Sequence, residues 1–263
     1  MTDEITETLN RFRAEASSQD LPPDEVEEWI RVALPAVYMA EDGDGAPAAL
    51  IGGDPMLPET AADPSEPFVA SVDLGVIPPD ATGLPLPADG HLLLFASPDV
   101  GIERTGPGAV LYVPAGTPMV RRSVEQLPPA PFPTRQLRTF WDQLSPQMSE
   151  SFADDRWDDP DDEEFELAEE LADAWSHVGG HRPPWTLQLG GNPVGPQNDP
   201  VHWARDSARE EGGDPSADDW TLLASWRCSE DIGKDSAVVH WVVPRGDLAS
   251  LRFDRVRRYT DMA

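Results

Sequence analysis

The side chains best placed for chemistry gather in the second half of the chain, where Gln197 and Asp199 stand close to His202. A carboxylate beside an imidazole is a set that can move protons. The segment is proline-rich, however, and Asn198 and Asp199 also serve as turn residues, so a ligand- or partner-facing surface is preferred over catalysis. The second candidate is a phrase that occurs twice: Ile51-Gly-Gly-Asp-Pro-Met-Leu-Pro58 returns as Leu189-Gly-Gly-Asn-Pro-Val-Gly-Pro196. The N–H groups of Gly52 and Gly53, or of Gly190 and Gly191, can converge on an anion as a backbone nest. Glycine is also what a chain needs where φ is positive, and Asp-Pro or Asn-Pro forms turns. Duplication favours the turn, because a fold needs both corners whereas a site seldom needs two.

The remaining candidates read as structure. His177 and His181 have the four-residue spacing of a helical metal pair, but Gly179 and Gly180 break the helix between them, and no third ligand follows at a suitable spacing. The acidic run 154–164 lacks the alternating ligands and central glycine of an EF-hand. Cys228 follows Arg227, yet strand alternation puts the thiol with Trp226 and Ala224 on an apolar face, which predicts a buried, inert cysteine. His240 lies between Val239 and Trp241 and reads as a hydrogen-bonded core histidine. There is no P-loop, no G-x-G-x-x-G after a strand and no G-x-S-x-G, so no cofactor is expected and the reading leans away from an enzyme.

Charge sets the partners. The 49 acidic and 19 basic side chains give a net charge of −30 over 263 residues. Such a field repels nucleic acid and anionic membranes and attracts a basic protein; the plainer alternative is a solvated surface. A single cysteine excludes an internal disulfide framework. No stretch is apolar enough for a membrane span, and the acidic start, Met1-Thr-Asp-Glu, does not resemble a secretory signal, so a soluble cytoplasmic protein is expected. The oligomeric state is left open.

The elements that position these residues follow from periodicity. Ile5, Leu9, Phe12 and Ala16 make one stripe of a first helix, and Val26, Trp29, Ile30 and Ala33 one of a second. Residues 68–74 and 222–228 alternate as half-buried strands, while 91–96, 109–113 and 237–243 are strands apolar on both faces. Leu137, Phe140, Trp141 and Leu144 fall at helical spacing, and a helix is expected over 135–144. A further helix runs from Asp159-Pro160 to Gly179, with 150–160 as a mobile linker before it and 198–219 as a polar loop. Each half therefore reads glycine phrase, alternating strand, buried strand, then Val-Pro-x-Gly (113–116, 243–246), which predicts an internal duplication. The fold class expected is α+β, mainly antiparallel β, with helices packed outside. Its segments are an N-terminal helical stretch (1–40), a first β-rich repeat (41–134), an acidic helical linker (135–180) and a second β-rich repeat (181–263). Arg252, Arg255, Arg257 and Arg258 form the concentrated basic patch, expected to pair within the molecule.

On these residues the chain resembles the YwqG-like proteins, the DUF1963 domain, over roughly residues 45–260. The resemblance rests on Gly-Gly-x-Pro-x-x-Pro, on Gly90-His-Leu-Leu-Leu-Phe95, and on Leu189 to Asp199 followed by Leu222-Leu223, Asp247-Leu248 and Phe253. It implies a mainly antiparallel β fold with peripheral helices and carries no assigned activity. The family tends to place Gln where this chain has Ser71 and Ser225, and a Trp-Gly-Asp-like turn where it has Asp231 to Asp235. Three functions remain: an interaction protein with an acidic surface for a basic partner, as in an immunity-type factor; a hydrolase with a site between the halves; and a small-ligand binding protein.

Overall fold

In this computed structural model the residues described are 3–97, 104–105, 109–123, 132–178, 185–195, 199–212, 219–233 and 236–262. Helix α1 (Asp3–Ser18) buries Leu9, Phe12 and Ala16, and its first turn carries Asp3 and Glu4, where the helix dipole favours anions. Helix α2 (Pro23–Val32) begins on a proline, whose missing N–H costs nothing at that position. Nine strands follow: β1 (Leu34–Ala40), β2 (Pro47–Ile51), β3 (Met56–Pro58), β4 (Phe68–Asp73), β5 (His91–Phe95), β6 (Arg104–Thr105), β7 (Val110–Val113), β8 (Met119–Arg121) and β9 (Arg135–Ser145). Helices α3 (Ser149–Arg156) and α4 (Asp162–Val178) lead to β10 (Leu187–Gly190), α5 (Pro200–Glu210) and β11 (Trp220–Arg227). The short α6 (Ser229–Ile232), β12 (Val238–Pro244), α7 (Arg245–Ala249) and β13 (Arg257–Asp261) complete the order. Among the described residues, no helix is long and apolar enough to cross a membrane.

Eleven strands form one antiparallel sheet in the order β6-β13-β12-β11-β10-β1-β9-β2-β4-β5-β7, and β3 pairs with β8 apart from it. Only four residues separate β6 from β7 in the chain, yet they lie at opposite ends of this order. The sheet curls until its two flanks meet: Trp241 on β12 donates its indole N–H to the Phe95 carbonyl on β5 at 3.2 Å, and Arg258 on β13 pairs with Glu66. The space enclosed is filled by Met39, Ile51, Val72, Leu92, Leu94, Leu137, Leu189, Trp226 and Trp241, among others. A second core holds α1 to α4 together, with Phe12 against Trp175 (centroids 5.0 Å apart) and Trp29 against Phe152 (4.9 Å). Edge-to-face pairs of this kind add stability beyond the area they bury.

From the central β1–β9 pair the order runs β10, β11, β12, β13, β6 one way and β2, β4, β5, β7 the other. The first strand of each side is crossed over. β1 precedes β2 in the chain but pairs with β10, and β9 precedes β10 but pairs with β2. Ala70 and Ser71 face Ile51 and Leu50 just as Ala224 and Ser225 face Leu189 and Gln188.

Three expectations need correction. Residues 135–145 are a strand, not a helix. Opposite Ala36 and Tyr38, β9 spends an extra residue (partners Gln143 and Phe140), and the residues at helical spacing serve different surroundings: Leu137 the sheet core, Phe140 the cluster of Tyr38 and Trp185, and Leu144 the helical layer. Residues 149–156 form α3, which buries Phe152 and Ala153, where a mobile linker is expected. Within 198–219, residues 200–210 form α5. Asp199-Pro200 is the start signal of that helix: the Asp199 carboxylate accepts the N–H groups of Val201 (2.7 Å) and His202 (3.3 Å), and Pro200 fills the first turn.

Candidate functional site

Both glycine phrases are turns. Gly52 and Gly53 have φ of 67° and 71°, Gly190 and Gly191 of 69° and 76°, all in the left-handed region. A Cβ on Gly191 would stand 2.7 Å from that of Ala36 and 2.8 Å from that of Ser145, so β10 ends this close to β1 and β9 only because the residue is glycine. The next residue fastens the corner: Asn192 donates through Nδ2 to the carbonyls of Val32 and Ser145, each at 2.9 Å. Gln188, fully buried, donates to the carbonyls of Gly190 and Asn192 at 2.8 Å. The amide groups here hold the scaffold together.

Beyond this corner lies a cavity of about 430 Å³. Three bodies close it. The helical layer supplies Arg31, Val32 and Asp155; the strand ends supply Leu34, Asn192 and residues 219–222 with Arg245; α5 supplies Val201, His202 and Arg205. His202 places Nε2 3.2 Å from the Asp155 carboxylate, joining α5 to α3. The hydrogen bond to Asp155 raises the His202 imidazole above its ordinary value against the opposing effect of burial. The same bond lowers Asp155, helped by Gln147, whose amide donates to it at 2.5 Å. Arg31 is engaged by Glu28, and Arg245 donates to the Gly83 carbonyl. Arg205 lies 4.0 Å from Asp155 and has no hydrogen bond to a described residue. Trp220 is 4% exposed and its indole N–H has no acceptor among the described residues. A buried donor left unmatched costs about 1–3 kcal/mol.

Of the candidate residues, Gly191, Asp199 and His202 line this cavity and Gly190 adjoins it, while Gln197 lies outside the described residues. Asp199 is spent on capping α5, so its pairing with His202 is local; the imidazole's carboxylate partner is Asp155, 47 residues earlier. Gly52 and Gly53 sit elsewhere, next to Asp54, which lines a separate groove of about 270 Å³ with Leu50, Met56, Ser71, Asp73 and His91. The pocket that a hydrolase between the halves requires, joining His202 to Ser71 or Asp73, is therefore divided into two. The buried pair of Ser225 Oγ and His240 Nδ1 (2.8 Å) belongs to the sheet interior: both residues are fully buried, and burial pushes His240 down to about 3. Cys228 is likewise buried, its thiol pushed up to about 12. Among the described residues no three His, Cys, Asp or Glu side chains converge as metal ligands.

The four C-terminal arginines pair inside the molecule as expected. Arg252 and Arg255 hold Asp247, Arg257 holds Glu211 at 2.6 Å, and Arg258 holds Glu66. The acidic excess is uneven. Residues 3–33 and 149–178, which build the helical layer, carry 22 acidic side chains and four arginines, or −18 of the total −30.

These features define an α+β protein with one curled antiparallel sheet, a helical layer and a polar cavity at the strand ends. The family model for the domain of unknown function DUF1963 matches residues 49–261, and the chain belongs to that family. No curated protein matches it.

Proposed function

We propose that this chain is a binding protein that holds a small polar ligand in the cavity between α2, α3, α5 and the strand ends. One observation carries the reading: charged side chains from three separately packed bodies converge on a concave space within the range that encloses small ligands. A thermal-shift screen of the full chain against small polar metabolites tests it. A ligand at 100 times its Kd adds about 2.7 kcal/mol and raises Tm by several degrees. Leu34→Trp fills the mouth from a residue that is 41% exposed, so the variant is expected to fold and lose the shifts. Shifts that survive the filled mouth, or a full panel with none, overturn the reading.

A second reading is supported by the charge distribution. A layer carrying −18 suits a basic protein partner, with the field speeding encounter. Titration with a defined cationic protein at rising salt is expected to show affinity that falls steeply with ionic strength; no binding even at low salt counts against it.

A further inference from the structure

The lining of the cavity has a different charge balance from the rest of the molecule. Against a net −30, Arg31, Arg205 and Arg245 equal in number the carboxylates Asp155, Asp199 and Asp219 around it, with Arg31 itself engaged by Glu28 and the His202 ring turned to Asp155. Two of the three carboxylates are occupied. Asp199 caps α5, and Asp155 accepts from His202 and Gln147. Two donors face this space: the buried indole N–H of Trp220, which has no acceptor among the described residues, and the Arg205 guanidinium, 39% exposed and 4.0 Å from Asp155 without a hydrogen bond to it. One buried acceptor, Gln147 Oε1, likewise has no donor among the described residues. A cation would meet these donors and, of the three carboxylates, only the exposed Asp219 without a side-chain partner among the described residues. An anion would meet groups that lack an acceptor.

We infer that the cavity takes a small oxyanion, a carboxylate or phosphate group on a compact metabolite, with Arg205 and Trp220 as its donors. The inference rests on the cavity being a ligand site and names what kind of ligand it is. Guanidinium suits both oxyanions because its planar fork matches two of their oxygens at once. Size is restricted by the surroundings. The acidic helical layer borders the mouth through α2 and α3, so a polyanion would be repelled along its length, whereas one or two charges buried in the cavity face its donors alone.

The test uses the full chain labelled with ¹⁵N at low ionic strength, with inorganic phosphate and succinate as the two probes. Either probe is expected to shift the Trp220 indole N–H resonance in a saturable way, and comparing the two tells which oxyanion is preferred. Arg205→Gln is expected to weaken that binding at least tenfold, while Arg209→Gln, on the same helix but paired with Asp206, leaves it unchanged. Both positions are exposed enough for the variants to fold, which the rest of the spectrum reports. Oxyanion binding that Arg205→Gln does not weaken overturns the inference. If neutral or cationic metabolites move the indole resonance and the two oxyanions do not, the cavity is a ligand site and the oxyanion class is wrong. If no compound in either set moves it, both readings fall.

Discussion

His202 answers to two carboxylates with different tasks. Asp199 accepts its backbone N–H and starts the helix, and Asp155 meets its ring and ties that helix to α3. The ring's raised value means its contribution is complete below about pH 6.5 and fades as pH climbs through that raised value. Asp155, lowered, contributes above its ordinary 3.8 and loses that contribution as pH falls through its lowered value. The pair is therefore at full strength between about pH 4 and 6.5. Because Asp155 is 46% exposed, solvent screening holds the effect to about 0.5–1 kcal/mol. Asp155→Asn keeps an acceptor for Gln147 and is expected to lower the unfolding free energy in urea by about that amount near pH 6, and hardly at all near pH 9. An equal loss at both pH values would mean the ion pair does not contribute. His202 and Asp199 were visible in the sequence as a cluster, but Asp155 was not. It sits in a run of acids where nothing distinguishes the one that meets an imidazole, and its partner is brought near only by packing.

Helix α5 shows how little a start signal stands out when it resembles a turn. Asp199 followed by proline suits either, and the polar stretch around it favoured the turn; what decides is that Val201 and Ala204 find buried places against Trp220, Leu222 and Val242. Asp199→Ala is expected to cost about 1 kcal/mol through the lost cap. Hydrogen exchange should speed up in the first turn of α5 while amides of β12 keep their protection; uniform loss of protection would show that α5 does not unfold separately. β9 illustrates the opposite case, in which the pattern was plain and misleading. Its irregular pairing with β1 shifts the phase of alternation, and no propensity in the chain announces such an irregularity before the partner strand is known. The strands with clean alternation or continuous apolar runs, β4, β5, β7, β11 and β12, were legible because both sheet faces they serve are dry or half-dry.

Across the molecule, the antiparallel class and outer helices were legible from composition and period, whereas the duplication read from the two glycine phrases is not established by the strand order, which places five strands beyond β1 and four beyond β9. The exchange of first strands was not legible, because pairing between segments roughly 90 residues (β2 with β9) and 150 residues (β1 with β10) apart leaves no local trace. It has a testable effect. A fragment covering 1–134 lacks β9, and one covering 135–263 lacks β1, so each exposes an unpaired central strand. Each is expected to give the poorly dispersed amide spectrum of an unfolded chain alone, and the two together to recover the native spectrum on mixing. A fragment that folds by itself would show that the crossed strands are dispensable.

The crossing also dictates an order of events during synthesis. β1 leaves the ribosome about 150 residues ahead of β10, a delay of roughly 8–30 s at ordinary elongation rates of ~5–20 residues per second. Until β9 is made, roughly 100 residues after β1, the nascent chain presents open backbone edges at both β1 and β2, and β1 keeps one open edge until β10 follows. The acidic excess of α1 and α2, already emerged by then, keeps neighbouring nascent chains apart by repulsion until the missing strands arrive.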